Sequence, residues 1–268
     1  MGEYFGAYTQ TVIRSLLVAV GLLPIVLLCK WWKPVQLRRD ARLLLLGFAA
    51  TAFVGGPMYY AVLHAGVGVS LAICYVGIVV GMFFFGWLMN KERYGKDKWL
   101  STVLGIAGLA LVFSPSMHTA GMLALGAALV SGLATALDVV VSKKLPYSAS
   151  QTTLIMWLVA VPANLPFIFL FGEPLPKTGW DMEWLYLFCF AAVSLAASWL
   201  VTRGVKLIEA GAAGILGLLE IVFGVLFGVL LFSERPAGIV LLGMTSIVAA
   251  AAIPYVQHYN TQKGTLEP

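Results

Sequence analysis

Charge is what this sequence has least of. Asp, Glu, Lys and Arg make up 11% of its 268 residues, against 60% apolar residues. A soluble domain of ordinary composition carries about 25% charged residues, so a water-soluble globule is excluded. Cysteine is scarce as well. Cys29, Cys74 and Cys189 fall inside apolar stretches and have neither metal-ligand spacing nor the pattern of a disulfide framework. They read as small buried hydrophobes. His64, His118 and His258 are far apart, so no metal site is expected. The sequence lacks H-E-x-x-H, G-x-S-x-G and G-x-x-x-x-G-K-[ST]. No catalytic residues and no cofactor are therefore expected, and an enzyme is not the reading.

Long apolar runs are abundant. A bilayer core takes about 20 apolar residues per helix, because lipid offers the backbone no hydrogen-bond partner. Nine such runs occur, at 9–29, 41–64, 67–90, 98–114, 119–142, 151–171, 182–202, 211–232 and 237–257. The expected fold class is an all-α polytopic membrane protein. Its longest connections, 30–40, 91–97 and 172–181, are too short for a further domain.

The net charge of +5 takes its meaning from placement. If the first helix ends in the cytoplasm, fourteen of the 17 Lys and Arg lie on cytoplasmic segments. Only Lys177 and Arg235 lie opposite, and Arg14 lies inside the first helix. The positive-inside rule then places the N-terminus outside and the C-terminus in the cytoplasm. The lipid bilayer is the partner this charge implies, and no nucleic acid is expected. Trp31, Trp32, Trp99, Trp180 and Trp184 stand at helix ends and read as an interfacial belt.

An internal repeat is the most informative pattern. The first four runs match the last four in order, with starts offset by 142, 141, 144 and 139 residues. Pro24 corresponds to Pro166. Gly77 and Gly81 correspond to Gly224 and Gly228. Glu92-Arg93 corresponds to Glu234-Arg235. An odd helix count separates the copies, so they cross the membrane in opposite senses. The expected organisation is a four-helix first repeat at 1–118, a five-helix second repeat at 119–257 and a short cytoplasmic tail at 258–268. Inverted repeats of this kind are the architecture of many secondary transporters.

The stretch LLEIVFGVLFGVLLFSERPAGIVLLGMTSIVAA at 218–250 has a mid-helix Glu220, small residues, Glu234-Arg235 and then Gly243. GLATALDVVVSKKL at 132–145 is an apolar helix ending in basic residues, and NKERYGKDKWLSTVLGIAGL at 90–109 is a looser counterpart of the first. In these the chain resembles the EamA branch of the drug/metabolite transporter superfamily. The resemblance implies an integral plasma-membrane transporter of a small molecule. It also implies ten helices where nine are found, as though the chain matched from the family's second helix onward.

Glu220 is the foremost candidate for chemistry. On a helix it shares a face with Ala213, Gly217, Gly224 and Gly228. A small-residue face points to other helices, so Glu220 should face the bundle interior as a proton-coupling or substrate site, or as an architectural clamp. Tyr75 stands at the equivalent depth in the first half. Gly77, Gly81, Gly217, Gly224 and Gly228 are expected to pack helices. Arg14, two turns into the first helix, either snorkels outward or contacts an anionic substrate. Asp138 reads first as a local charge pair with Lys143 at the membrane surface and second as a substrate group, and Glu92 and Glu234 read as structural, water-facing helix ends. The leading functional reading is a secondary transporter of a small metabolite or amphipathic compound, working by alternating access, with a homodimer as an option. The competing reading is a non-transporting or truncated membrane protein that assembles with a full-length transporter. An intramembrane enzyme ranks third.

Overall fold

The computed structural model describes residues 5–30, 32–114, 121–173, 181–233 and 235–264, with side chains at 37, 232 and 254–264 left out. Trp31, His118, Lys177, Trp180 and Glu234 thus lie outside the described residues, as do the side chains of His258 and Lys263.

Every regular element among the described residues is helical. They are α1 (Ala7–Leu28), α2 (Leu37–Ala65), α3 (Val67–Asn90), α4 (Lys96–Phe113), α5 (Met122–Lys144), α6 (Ala149–Leu170), α7 (Met182–Val205), α8 (Ala210–Gly217), α9 (Leu219–Phe232) and α10 (Gly238–Gly264). By length and composition seven spans can cross a membrane: α1, α2, α3, α5, α6, α7, and α8 with α9 taken together. The other two of the nine expected are α4, which opens on Lys96, Asp97 and Lys98, and α10, whose apolar part is Gly238–Ile253. Leu, Val and Phe side chains such as Leu45, Val103 and Leu230 are exposed along the helices, as a lipid-facing surface requires.

The run expected as one helix at 211–232 is broken. Leu218 and Ile221 donate their amides to the carbonyls three residues back, at 3.1 Å each. This tighter turn shifts the helix face, and Leu218 itself is fully buried. Two helix ends match closely across the repeat offset. Lys91 closes α3 and Ser233 closes α9, both in the left-handed conformation with φ 57° and 55°.

The chain forms two compact units, each drawing on both halves of the sequence. The first comprises Met1–Tyr59 and Leu137–Leu207. In it α1 lies against α6 and α7, burying Val18, Leu22 and Val26 against Leu154. The N-terminus of α1 is held by Glu173, which follows α6. Its carboxylate accepts from the amides of Tyr8 at 3.0 Å and Thr9 at 2.8 Å. The Tyr8 ring stacks on Phe167 and Phe171. Beyond the C-terminus of α1, the Gln151 side chain accepts from the Lys33 amide at 3.0 Å and donates to the Lys33 carbonyl at 2.5 Å.

The second unit comprises Tyr60–Ala136 and Ile208–Pro268. Here α3 packs on α8 and α4 on α10, around Val79, Leu109, Leu218 and Ile247. Helices matched by the repeat are thus neighbours in each unit: α1 with α6, α3 with α8, α4 with α10. Glycines set two close crossings. A Cβ on Gly132 would lie 2.0 Å from the Cys74 carbonyl oxygen, and one on Gly108 would lie 2.8 Å from that of Gly243.

Candidate functional site

Arg14 and Asp138 line two adjoining cavities of about 220 and 320 Å³, all of whose walls belong to the first unit. Four helices besides α1 supply polar groups to the smaller one: Thr51 from α2, Asp138 and Ser142 from α5, Asn164 from α6, and Ser198 from α7. Each is a small polar residue set in an apolar run, placed where the alternative partner is hydrocarbon.

Arg14 is held by aromatic faces rather than by acids. Its guanidinium carbon lies 4.5 Å from the Phe190 ring centroid and 5.5 Å from that of Trp157, within cation–π range. Trp157 is fixed in turn, since its indole N–H donates to Ser198 Oγ at 3.0 Å. The Arg14 Nε is buried with no hydrogen-bond partner, and so is Oδ1 of Asn164, whose amide nitrogen donates to the Ala160 carbonyl. Two residues that line one cavity thus carry an unused donor and an unused acceptor. Of the two readings of Arg14, the structure places its side chain in this cavity.

The charge pair expected of Asp138 is not formed among the described residues. The Asp138 Oδ1 lies 3.0 Å from Thr51 Oγ1, and among the described residues no cation is within ion-pair distance of it. Lys143 is five residues on, about 140% of a helical turn, and so projects from a different face than Asp138.

Glu220 and Tyr75 come together in the second unit, where the buried Tyr75 hydroxyl lies near the Glu220 carboxylate. Glu220 is exposed and not enclosed as its small-residue neighbours suggested. The break at Leu218 puts it in the first turn of α9. Gly217 and Gly224, expected to pack helices, have nothing within 4 Å of an added Cβ, whereas Gly228 is buried. The two open glycines flank Glu220 and leave its carboxylate uncovered. Gly77 and Gly81 do pack, against Leu129 and Gly132 and against Ala136 of α5.

Two further expectations are corrected. Glu92 is not a solvated helix end: its carboxylate accepts from the Tyr94 hydroxyl at 2.9 Å and from the Ala210 amide at 2.8 Å, capping α8. Burial and that carboxylate push the Tyr94 hydroxyl's pKa upward. Cys29 and Cys189 are exposed, and only Cys74 is buried. Asp40, passed over in the sequence, is buried and accepts from the Tyr147 hydroxyl.

A family model described as the EamA-like transporter family matches residues 1–114 and 121–255. The chain belongs to that family. It is 25% identical over 197 residues to a mouse protein named solute carrier family 35 member G1, covering 67% of this chain and 52% of that protein. It is likewise 25% identical over 189 residues to a riboflavin transporter of Vibrio cholerae serotype O1, covering 68% of this chain and 59% of that one. The matches span between half and three fifths of these relatives. A solved crystal structure superimposes with a TM-score of 0.73 at 15% identity, covering 95% of this chain and 89% of the other, which shows a shared helical fold. These likenesses point to a transporter and away from an enzyme. Nothing in the EamA pattern of the sequence marks Asn164 or Thr51. The available signal was a lone Asn in an apolar helix two residues before Pro166.

Proposed function

We propose that this EamA-like chain is a secondary transporter that moves a small metabolite across the membrane by alternating access, with the Arg14–Asp138 cavity as the place where the substrate sits. The observation that carries this reading is that cavity. It lies among membrane-spanning helices and is lined by hydroxyls, an amide and two ionisable groups, and two of its lining residues, Arg14 and Asn164, each carry a buried polar atom with no partner. Polar groups of this cost inside a membrane bundle mark substrate or ion paths. Glu220, near Tyr75 in the second unit, is proposed separately as a proton-coupling residue.

The chain's own distribution of Lys and Arg and its odd number of apolar runs suit a plasma-membrane protein with its N-terminus outside and its C-terminus in the cytoplasm. The test is flux in reconstituted vesicles, using riboflavin and a panel of small anionic, neutral and cationic metabolites. Arg14→Gln should abolish flux of the accepted compound while the variant still inserts and purifies, since Gln keeps hydrogen-bonding capacity without the charge. Glu220→Gln should lower the rate with less effect on binding. No flux of any panel member above protein-free vesicles would favour the competing reading, a membrane protein that assembles with a transporter.

A further inference from the structure

The hydrogen atoms around Asp138 can be counted. Thr51 Oγ1 lies 2.8 Å from the Gly47 carbonyl oxygen and 3.0 Å from Asp138 Oδ1. Both neighbours are acceptors when Asp138 is ionised, and a hydroxyl has one hydrogen to give. An ionised Asp138 would leave either the Gly47 carbonyl or its own oxygen competing for that hydrogen. A protonated Asp138 removes the conflict: its O–H donates to Thr51 Oγ1, and Thr51 donates to Gly47. The Gly47–Thr51 bond is the usual i to i−4 arrangement of a helical threonine.

The cavity's charge follows. From α1, Arg14 faces it with its guanidinium unbonded by any acid. From α2, α6 and α7 the groups facing Asp138 are Thr51, Trp157, Asn164 and Ser198, none of which titrates near neutrality. On α5 itself, Lys143 and Lys144 follow at the helix end. With Asp138 neutral the enclosed charge is the single positive one of Arg14, which remains always protonated. A guanidinium lying over two rings and paired with no carboxylate is complementary to a carboxylate or similar anion.

We propose that the cavity takes a small organic anion on Arg14 together with a proton on Asp138. This rests on the reading of the cavity as the substrate site. The linkage is electrostatic. An anion beside Arg14 disfavours a second negative charge in the same low-dielectric enclosure, so anion and proton bind cooperatively. An ionised Asp138 would instead compete with the anion for Arg14.

Two measurements on the purified full chain in detergent test this without flux. In the first, infrared difference spectra at neutral pH should show a carboxylic-acid C=O band that Asp138→Asn removes and Thr51→Val shifts. Identical spectra for wild type and Asp138→Asn would overturn the proposal. In the second, acetate, benzoate, phenylacetate and indole-3-acetate are added in weakly buffered indicator solution, at a pH alkaline enough to ionise Asp138, with the matching amides as controls. At least one carboxylate should raise the thermal midpoint well above its amide, with proton uptake approaching one per bound anion. Asp138→Asn should keep the binding and lose the uptake, and Arg14→Gln should lose the binding. Equal effects of carboxylates and amides, or proton uptake unchanged in Asp138→Asn, would sink the idea. Positive results here with no flux in vesicles would leave the co-binding intact and refute the transport reading.

Discussion

Gly132 has no room for a methyl group, because the Cys74 backbone lies where its Cβ would go. Backbone cannot rotate away as a side chain can, so Gly132→Ala should destabilise the protein by about 1–3 kcal/mol. Gly224 has open space at the same place, and Gly224→Ala should be neutral or gain about 0.5–1 kcal/mol from helix propensity. Thermal unfolding of the two variants in one detergent checks both, and equal effects would contradict the assigned crossing. Lys206, just beyond α7, is half-buried and donates to the Leu145 carbonyl at 2.8 Å. Burial pushes its pKa down from 10.5 to about 8. Between those values the unfolded chain holds the proton that the folded chain has released, so stability rises with pH across that window. Below about pH 8 both states are protonated and the penalty is constant. Wild type should therefore gain stability relative to Lys206→Met on going from pH 7.5 to 10. A flat difference would show that Lys206 is not desolvated. At this scale the sequence singled out Arg14, Tyr75 and Glu220 by charge or depth alone. It missed Asn164, Thr51 and Asp40, because an amide, a hydroxyl or a surface-looking acid gains its meaning only from what faces it.

Helix ends carry the next level of organisation. Glu173 caps α1 and Glu92 caps α8, each from the segment that follows a neighbouring antiparallel helix. A carboxylate there satisfies amides that have no partner inside their own helix and meets the positive end of the helix dipole. Glu173→Ala should cost about 1–2 kcal/mol and should speed hydrogen exchange at the Tyr8 and Thr9 amides specifically. Glu92→Ala should do the same at Ala210. Exchange that rises evenly along each helix would argue against a capping role. The Glu-Arg repeat was legible in the sequence, but the role of Glu92 was not. It read as a solvated end because the amide it caps lies 118 positions away. The break at Leu218 was equally hidden. The run from 211 to 232 is apolar throughout apart from Glu220, and hydropathy registers length, not hydrogen-bond register.

For the molecule as a whole, the distribution of basic residues predicts that a tag at Pro268 is reached only from the cytoplasm and one at Met1 only from outside. Accessibility labelling in intact and opened cells checks it, and two termini on one side would refute an odd number of crossings. The sequence by itself determined the class: too little charge for a soluble globule, nine apolar runs, and motifs specific enough to mark the EamA-like family. These are local quantities, since each helix in lipid must satisfy its own backbone and so declares itself by composition. Only the tertiary structure decided which side chains share a space. Arg14, Thr51, Asp138 and Asn164 stand on four helices from both halves of the chain, and they meet because α1 packs on α6 and α2 brings Thr51 to α5. Apolar helix faces are nearly interchangeable in hydropathy. What selects their neighbours is the fit of glycines, rings and hydroxyls across each crossing, and a linear pattern does not record it.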